Sequence, residues 1–303
     1  MKNCIIVFIL FFQASIITIG QQNPALPLNK TEADANADAM LDICARSGEM
    51  AGVVAGFYQE GEVLWQGSAG YANMEDKRKA DKNMLHRIAS ISKPMTAIAI
   101  IQLYEQGKIG LDDPVTKYLP YFPIHKKGII TIRHLLNHSS GIKAYKNSKE
   151  GFPTTNYPTL KEAIEVFQDR KLAHVPGTAY KYTTYGYVVL GAVIEKASGM
   201  SYRAYTKKYV WTPAEMHQTD VEIFGEEYPN KADLYKLNED WTITPDLKTN
   251  LSVKAPGGGI QSTVEDLLNF GKAILEHKLI KESSFELMAV SYTHLTLPTT
   301  PYV

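Results

Sequence analysis

From Pro94 to Tyr104 nearly every residue is apolar: Met95, Ala97, Ile98, Ala99, Ile100, Ile101 and Leu103. At a helical period this pattern has no wet face, so it predicts a helix buried on all sides and stopped at Gly107. Earlier in the chain the pattern is different. Residues 51–59 and 62–70 are β-rich runs around Glu60-Gly61, which predicts a hairpin. A first helix is expected from Thr31 to Ser47, with Ala37, Met40, Leu41 and Cys44 on one face. Thr131 is expected to cap a short helix carrying Ile132, Leu135 and Leu136 and stopping at Gly141. Thr159 and Glu162 read as a capping box before Ile164 and Phe167. Tyr187 to Ala197 reads as a helix ended by Gly199. Ser262 and Glu265 read as another capping box, before Leu267, Phe270 and Ile274. No fixed repeat and no low-complexity linker interrupts the series. The expected class is α+β: an antiparallel sheet fed by the early hairpin and flanked by helices, with a helical region inserted after the buried helix.

The two ends follow other patterns. Lys2 is followed by an apolar run from Ile5 to Ile19, broken by Gln13, Ser15 and Thr18, and Gly20 offers a cleavage site. This predicts a secretory signal peptide over residues 1–20, with the mature chain starting near Gln21 and working in the periplasm or outside the cell. An uncleaved N-terminal anchor is the alternative, for which the run is short. At the other end, residues 291–303 follow a helical stretch from Glu282 to Met288 and have neither helical nor clean strand periodicity. They read as an unrelated or artefactual tail after a single domain over residues 21–290. A short terminal strand is the alternative, compatible with their Thr, Leu and Tyr content.

Charge narrows the class. Lys and Arg number 32 and Asp and Glu 32, so the formal net charge is +0. A neutral chain has no global field for nucleic acid or an anionic membrane, which leaves only a local patch to attract either. Membrane contact is expected only through an uncleaved leader. The two cysteines rule out a disulfide framework and a multi-cysteine zinc module. Cys4 leaves with the leader, and Cys44 reads as a small core hydrophobe rather than a nucleophile. What remains is an enzyme or binder for a small molecule or peptide.

Ser90-Ile91-Ser92-Lys93 opens the buried helix. A serine at a helix N-terminus sits among unpaired backbone N–H groups and the positive dipole end, which favour the negative charge of acyl transfer. Lys93 lies one turn on, on the same side. Burial disfavours its charged form, so it can take the serine proton. Pro94 is tolerated in the first turn. Alone, Ser90 also reads as an N-cap and Lys93 as a solvated charge.

Residues 85–120, LHRIASISKPMTAIAIIQLYEQGKIGLDDPVTKYLP, resemble the serine β-lactamase and penicillin-binding-protein superfamily, in its branch of class C-like β-lactamases, D-alanyl-D-alanine carboxypeptidases and related esterases. Further similarities come in order. They are residues 131–141 (TIRHLLNHSSG), Pro176-Gly177, Tyr182 to Tyr187 (YTTYGY) and residues 256–266 (PGGGIQSTVED). Together they cover roughly residues 30 to 289 and outweigh the capping reading of Ser90. The resemblance implies that Ser90 is acylated, that Lys93 activates it, and that Tyr182 is a general base or proton relay. Which of Lys93 and Tyr182 takes the proton stays open, since a phenol near pKa ~10 needs adjacent positive charge to act as a base. No cofactor is implied.

One position departs from the resemblance. Thr184 stands where the family has the Asn of Tyr-x-Asn, a substrate-binding position. An Asn amide both donates to and accepts from a substrate amide, whereas a Thr hydroxyl is shorter with one donor. This argues against efficient β-lactam hydrolysis and leaves ester or peptide hydrolysis open. The superfamily's third motif, Lys-Thr-Gly or a His-x-Gly equivalent, is not found in residues 291–303, and the expectation is a chain truncated before that strand. His134 and His138 are expected to be structural, since no third zinc ligand or HExxH pattern accompanies them. Asp112 and Asp113 before Pro114 read as a turn. Trp65, Trp211 and Trp241 are scattered. Gly257-Gly258-Gly259 lacks the lysine of a phosphate loop and reads as close backbone packing. The expected function is a secreted serine hydrolase working through an acyl-enzyme on Ser90. The alternatives are a β-lactamase or D-alanyl-D-alanine carboxypeptidase, and a non-catalytic binder or sensor on the same fold.

Overall fold

A computed structural model describes residues 4–9, 30–59, 61–246 and 249–293. It opens with β1 (Cys4–Ile9), α1 (Lys30–Arg46), β2 (Gly52–Gln59), β3 (Glu62–Asn73), β4 (Arg78–Lys79) and β5 (His86–Arg87). The helices α2 (Ser92–Glu105), α3 (Ile132–Leu136), α4 (Ser148–Gly151), α5 (Leu160–Glu165), α6 (Tyr185–Ser198) and α7 (Tyr202–Thr206) follow. Then come β6 (Asp220–Val221), β7 (Tyr235–Leu237), β8 (Ile243–Pro245), α8 (Ala255–Gly258), β9 (Ile260–Ser262), α9 (Val264–Leu275) and α10 (Glu282–Thr293). The fold is α+β with antiparallel pairing, and its long helical run follows the first strands. The chain divides into two compact units. One comprises Met1–His86, Glu227–Lys248 and Ser262–Lys272, the other Arg87–Glu226, Thr249–Gln261 and Ala273–Val303.

The first unit is built on a four-stranded sheet of order β1-β2-β3-β4. The expected hairpin is present, closing with Gln59 opposite Glu62. Residues 4–9, within the stretch read as a leader, pair with β2 from Cys4 opposite Gln59 to Ile9 opposite Val54. Val53, Val54 and Ala55 are all buried, so β2 is covered on both faces instead of alternating wet and dry. On one face Leu41 of α1 packs with Val53, Ala55 and Ala69, and Cys44 joins this cluster half-buried. On the other, α9 comes so close that a Cβ at Gly56 would lie 2.7 Å from Val264 and Leu268 side-chain atoms. Two expectations need correction here. Met40 is 59% exposed, because the row facing the sheet runs through Ala37, Leu41 and Cys44 and Met40 lies one step off it. The cap of α9 is Thr263 rather than Ser262, its hydroxyl accepting the Asp266 N–H at 3.2 Å.

The second unit is organised around α2. Met95, Ile98, Ala99, Ile100 and Leu103 are completely buried, and the helix packs against α6, α7 and α8. Each fully buried Ile or Leu contributes about 1.5–3 kcal/mol, so this element dominates the unit's core. Its polar side chains are bonded inside: Thr96 donates to Pro256 O at 2.6 Å, and the Gln102 amide donates to Tyr209 O and Leu279 O. The α8 turn reaches α6 because Gly191 has no side chain; a Cβ there would meet Pro256 Cγ at 2.3 Å. Thr131 caps α3, Thr159 and Glu162 form the capping box of α5, and Gly199 ends α6 at φ 72°. α10 runs to Thr293, past the expected end at Met288, and residues 294–303 of the expected tail lie outside the described residues.

Candidate active site

Ser90 lies on a single 3₁₀ turn, Ala89–Ile91, that carries β5 into α2. Ser90 thus lies two residues ahead of α2, the helix expected to begin with it. Ala89 takes φ 45°, a left-handed conformation that costs a non-glycine residue about 1–2 kcal/mol. Bonds from Ser92, three residues on, hold it. The Ser92 hydroxyl donates to Ala89 O at 2.7 Å and accepts the Ile260 N–H at 3.3 Å. The turn therefore presents an exposed Ser90 above a fixed base.

Lys93 is in the first turn of α2 and only 4% exposed. Its Nζ lies 3.0 Å from Ser90 Oγ, 3.2 Å from Thr184 Oγ1 and 2.6 Å from Gly257 O. Burial, and secondarily the charge of Lys254, lower its pKa to about 7. In the neutral form the amine has two hydrogens and one lone pair. Gly257 O can only accept, and Thr184 Oγ1 accepts the second hydrogen, so the lone pair is left for the Ser90 hydroxyl proton.

Tyr182 completes the group, its hydroxyl 2.7 Å from Ser90 Oγ. Its ring rests on the His138 ring at 4.4 Å, with Tyr187 5.3 Å from the same imidazole. His138 is buried, and burial together with the Lys93 charge lowers its pKa to about 4. It is therefore neutral at pH 7, with Nδ1 accepting the Thr183 N–H at 3.3 Å. A neutral ring beneath Tyr182 adds no second charge against Lys93.

The rest of the floor comes from three distant segments. The Tyr145 hydroxyl bonds the Thr184 side chain, and burial raises the tyrosine's pKa to about 12, so it stays a phenol. Gly257 cannot carry a side chain: a Cβ would lie 2.6 Å from Thr184 Cγ2. Lys254 donates to Gly151 O and lies 3.7 Å from the Phe152 ring centre. Burial, then the Arg87 charge, lowers its pKa to about 8. Glu150 binds Arg170 and the Tyr185 hydroxyl, each at 2.7 Å. Burial opposes its charge, but these partners and the Lys146 N–H outweigh it and keep the carboxyl below its ordinary range.

The structure thus brings Ser90, Lys93, Tyr182 and Thr184 to one point. The sequence reading missed Gly257 as an acceptor, Lys254 as a neighbouring charge and His138 as the seat of Tyr182. For Lys254 a signal existed: it is a lone cation in the apolar run LSVKAPGGG. Other candidates have local tasks. His134 accepts the Thr131 N–H within the α3 cap, Asp112 pairs with Arg133 at 2.7 Å, and Asp113 binds Lys117 and Gly110 N.

A family model described as beta-lactamase matches residues 29–300. Penicillin-binding protein 4* of Bacillus subtilis is 35% identical over an alignment covering 75% of this chain and 52% of that protein. Esterase EstB of Burkholderia gladioli is 31% identical, with 63% of this chain and 52% of that protein covered. Among solved structures, the D-stereospecific amidohydrolase of a Streptomyces species superposes with a TM-score of 0.72. It is 27% identical, covering 84% of this chain and 76% of that one. The chain spans about half the length of the curated relatives it matches.

Proposed function

Since the chain belongs to the beta-lactamase family of serine hydrolases, we propose that it cleaves an ester, peptide or amide bond through an acyl-enzyme on Ser90. The observation that carries this is the pair of contacts to one oxygen, Lys93 Nζ at 3.0 Å and the Tyr182 hydroxyl at 2.7 Å. Ser90 Oγ attacks the carbonyl carbon, and its proton passes to the neutral Lys93 amine. The Ser90 N–H, at the mouth of α2, is one donor to the resulting oxyanion. As the tetrahedral intermediate collapses, the leaving alkoxide or amine takes a proton through Tyr182, which regains one from Lys93. Water then attacks the acyl carbon by the same relay, releasing the acid and restoring Ser90–OH.

Thr184 in place of a substrate-binding Asn supports an ester, peptide or open-chain amide over a β-lactam. A relative named as an esterase and a structural neighbour named as an amidohydrolase agree with that preference. One further part belongs to the same proposal: residues 1–20 act as an export signal, so that the exported protein starts near Gln21, which N-terminal sequencing checks. The catalytic reading is tested by p-nitrophenyl ester hydrolysis with Ser90→Ala, expected to lose ~10³-fold or more in kcat. Full activity in Ser90→Ala removes Ser90 from the mechanism.

A further inference from the structure

Resting on the acyl-enzyme reading, we propose that a basic pocket behind Thr184 binds a carboxylate at the end of the substrate's acyl chain. The chain as a whole is neutral. Yet Lys143, Lys146, Arg170, Lys171 and Lys181 line a single cavity of about 510 Å³, with Tyr145 as a wall. Glu150 pairs with Arg170 and offsets one of the five charges. Among the described residues no carboxylate forms an ion pair with the four lysines. Like charges gathered around a concave, low-dielectric wall focus a positive potential into it, which recruits an anion. The aliphatic lysine stems and the Tyr145 ring suit a hydrocarbon chain leading to that anion.

The pocket is wired to the nucleophile. Tyr145 bonds the Thr184 side chain, Thr184 accepts from Lys93, and Lys93 bonds Ser90. The backbone is tied in the same way: the Thr183 hydroxyl donates to Lys143 O at 3.5 Å, and the Lys181 N–H donates to His138 O at 2.8 Å. Lys181 also immediately precedes Tyr182. A chain whose carbonyl lies on Ser90 and whose far end carries a carboxylate would therefore run past Thr184 to the lysines. This names the substrate class as esters or amides of a dicarboxylic acid or an acidic acyl group.

The test compares mono-p-nitrophenyl glutarate with p-nitrophenyl valerate, esters of equal acyl length with and without the carboxylate. The wild-type protein should show the higher kcat/KM for the glutarate ester. That preference should fall roughly tenfold in Lys143→Gln/Lys171→Gln, and should also fall as NaCl is raised. A second arm measures binding of free glutarate to the Ser90→Ala protein by calorimetry, which needs no catalysis. Binding should weaken roughly tenfold when the two lysines are replaced as well. A preference or a glutarate affinity that the lysine substitutions leave unchanged overturns the proposal. If Ser90→Ala hydrolyses both esters while glutarate still binds in the lysine-dependent way, the pocket stands and the acyl-enzyme reading falls.

Discussion

Two of the contacts of Tyr182 are separable, its ring on His138 and its hydroxyl on Ser90. Tyr182→Phe keeps the first and removes the second. It should lower kcat by ~10²-fold or more while leaving the thermal midpoint unchanged, measured by ester hydrolysis and thermal unfolding. Equal activity in the phenylalanine variant takes the hydroxyl out of the relay. Lys93 sets the pH response. As the base it must be neutral, so kcat/KM should rise with pH through about 7. Lys254 is the second cause of that low value, after burial. Lys254→Gln removes the charge and keeps a donor for Gly151 O, so the acid limb should move to higher pH. A limb that stays in place separates the two lysines electrostatically. At this scale Ser90, Lys93, Tyr182 and Thr184 were legible because their chemistry lies in short local motifs. His138 and Lys254 were not, because each meets the site from a segment whose sequence distance carries no contact information.

Two glycines decide how closely the elements approach. Gly257 has Thr184 against it, and its carbonyl receives the Lys93 amine. Gly257→Ala should push that carbonyl away and cut activity, with kcat falling more than KM rises. Gly191 admits Pro256 of α8 onto α6. Gly191→Ala should cost about 1–3 kcal/mol by overpacking, read as a lower denaturant midpoint at unchanged slope. An unchanged midpoint would mean α8 can retreat. The sequence announced the glycine run PGGGIQS as close packing but not its partner, because a missing side chain says nothing of what fills its place. Periodicity placed α2 and the β2–β3 hairpin well, since burial of α2 is total and the hairpin has a turn at its tip. It misplaced Met40, because four apolar residues on a 17-residue helix fit more than one face. It misplaced the α9 cap because Ser262 and Thr263 are adjacent and both can cap.

Buried titratable groups give the whole molecule a pH signature. Burial, alone or ahead of neighbouring charge, lowers His86 and His138 to about 4, Lys93 to about 7 and Lys254 to about 8. Each binds a proton more readily in the unfolded chain, so unfolding takes up protons and stability rises with pH. The histidines act between about 4 and 6.5, and the lysines from about 7 and 8 up to 10.5. Burial raises Tyr145 and Tyr205 to about 12, and these act oppositely once unfolded tyrosines ionise above ~10. The thermal midpoint should therefore climb from pH 4 to about pH 9 and fall beyond 10. A midpoint flat from pH 5 to 9 would mean these groups are hydrated in the folded state. The neutral overall charge concealed the basic pocket, because composition counts charges without placing them.

Fluorophosphonate labelling followed by peptide mass mapping reads the nucleophile without any choice of substrate. One phosphonyl group per chain is expected on Ser90, formed at a rate that rises with pH through about 7 and lost in Ser90→Ala. A label on another residue, or none at any pH, would contradict Ser90 as the nucleophile.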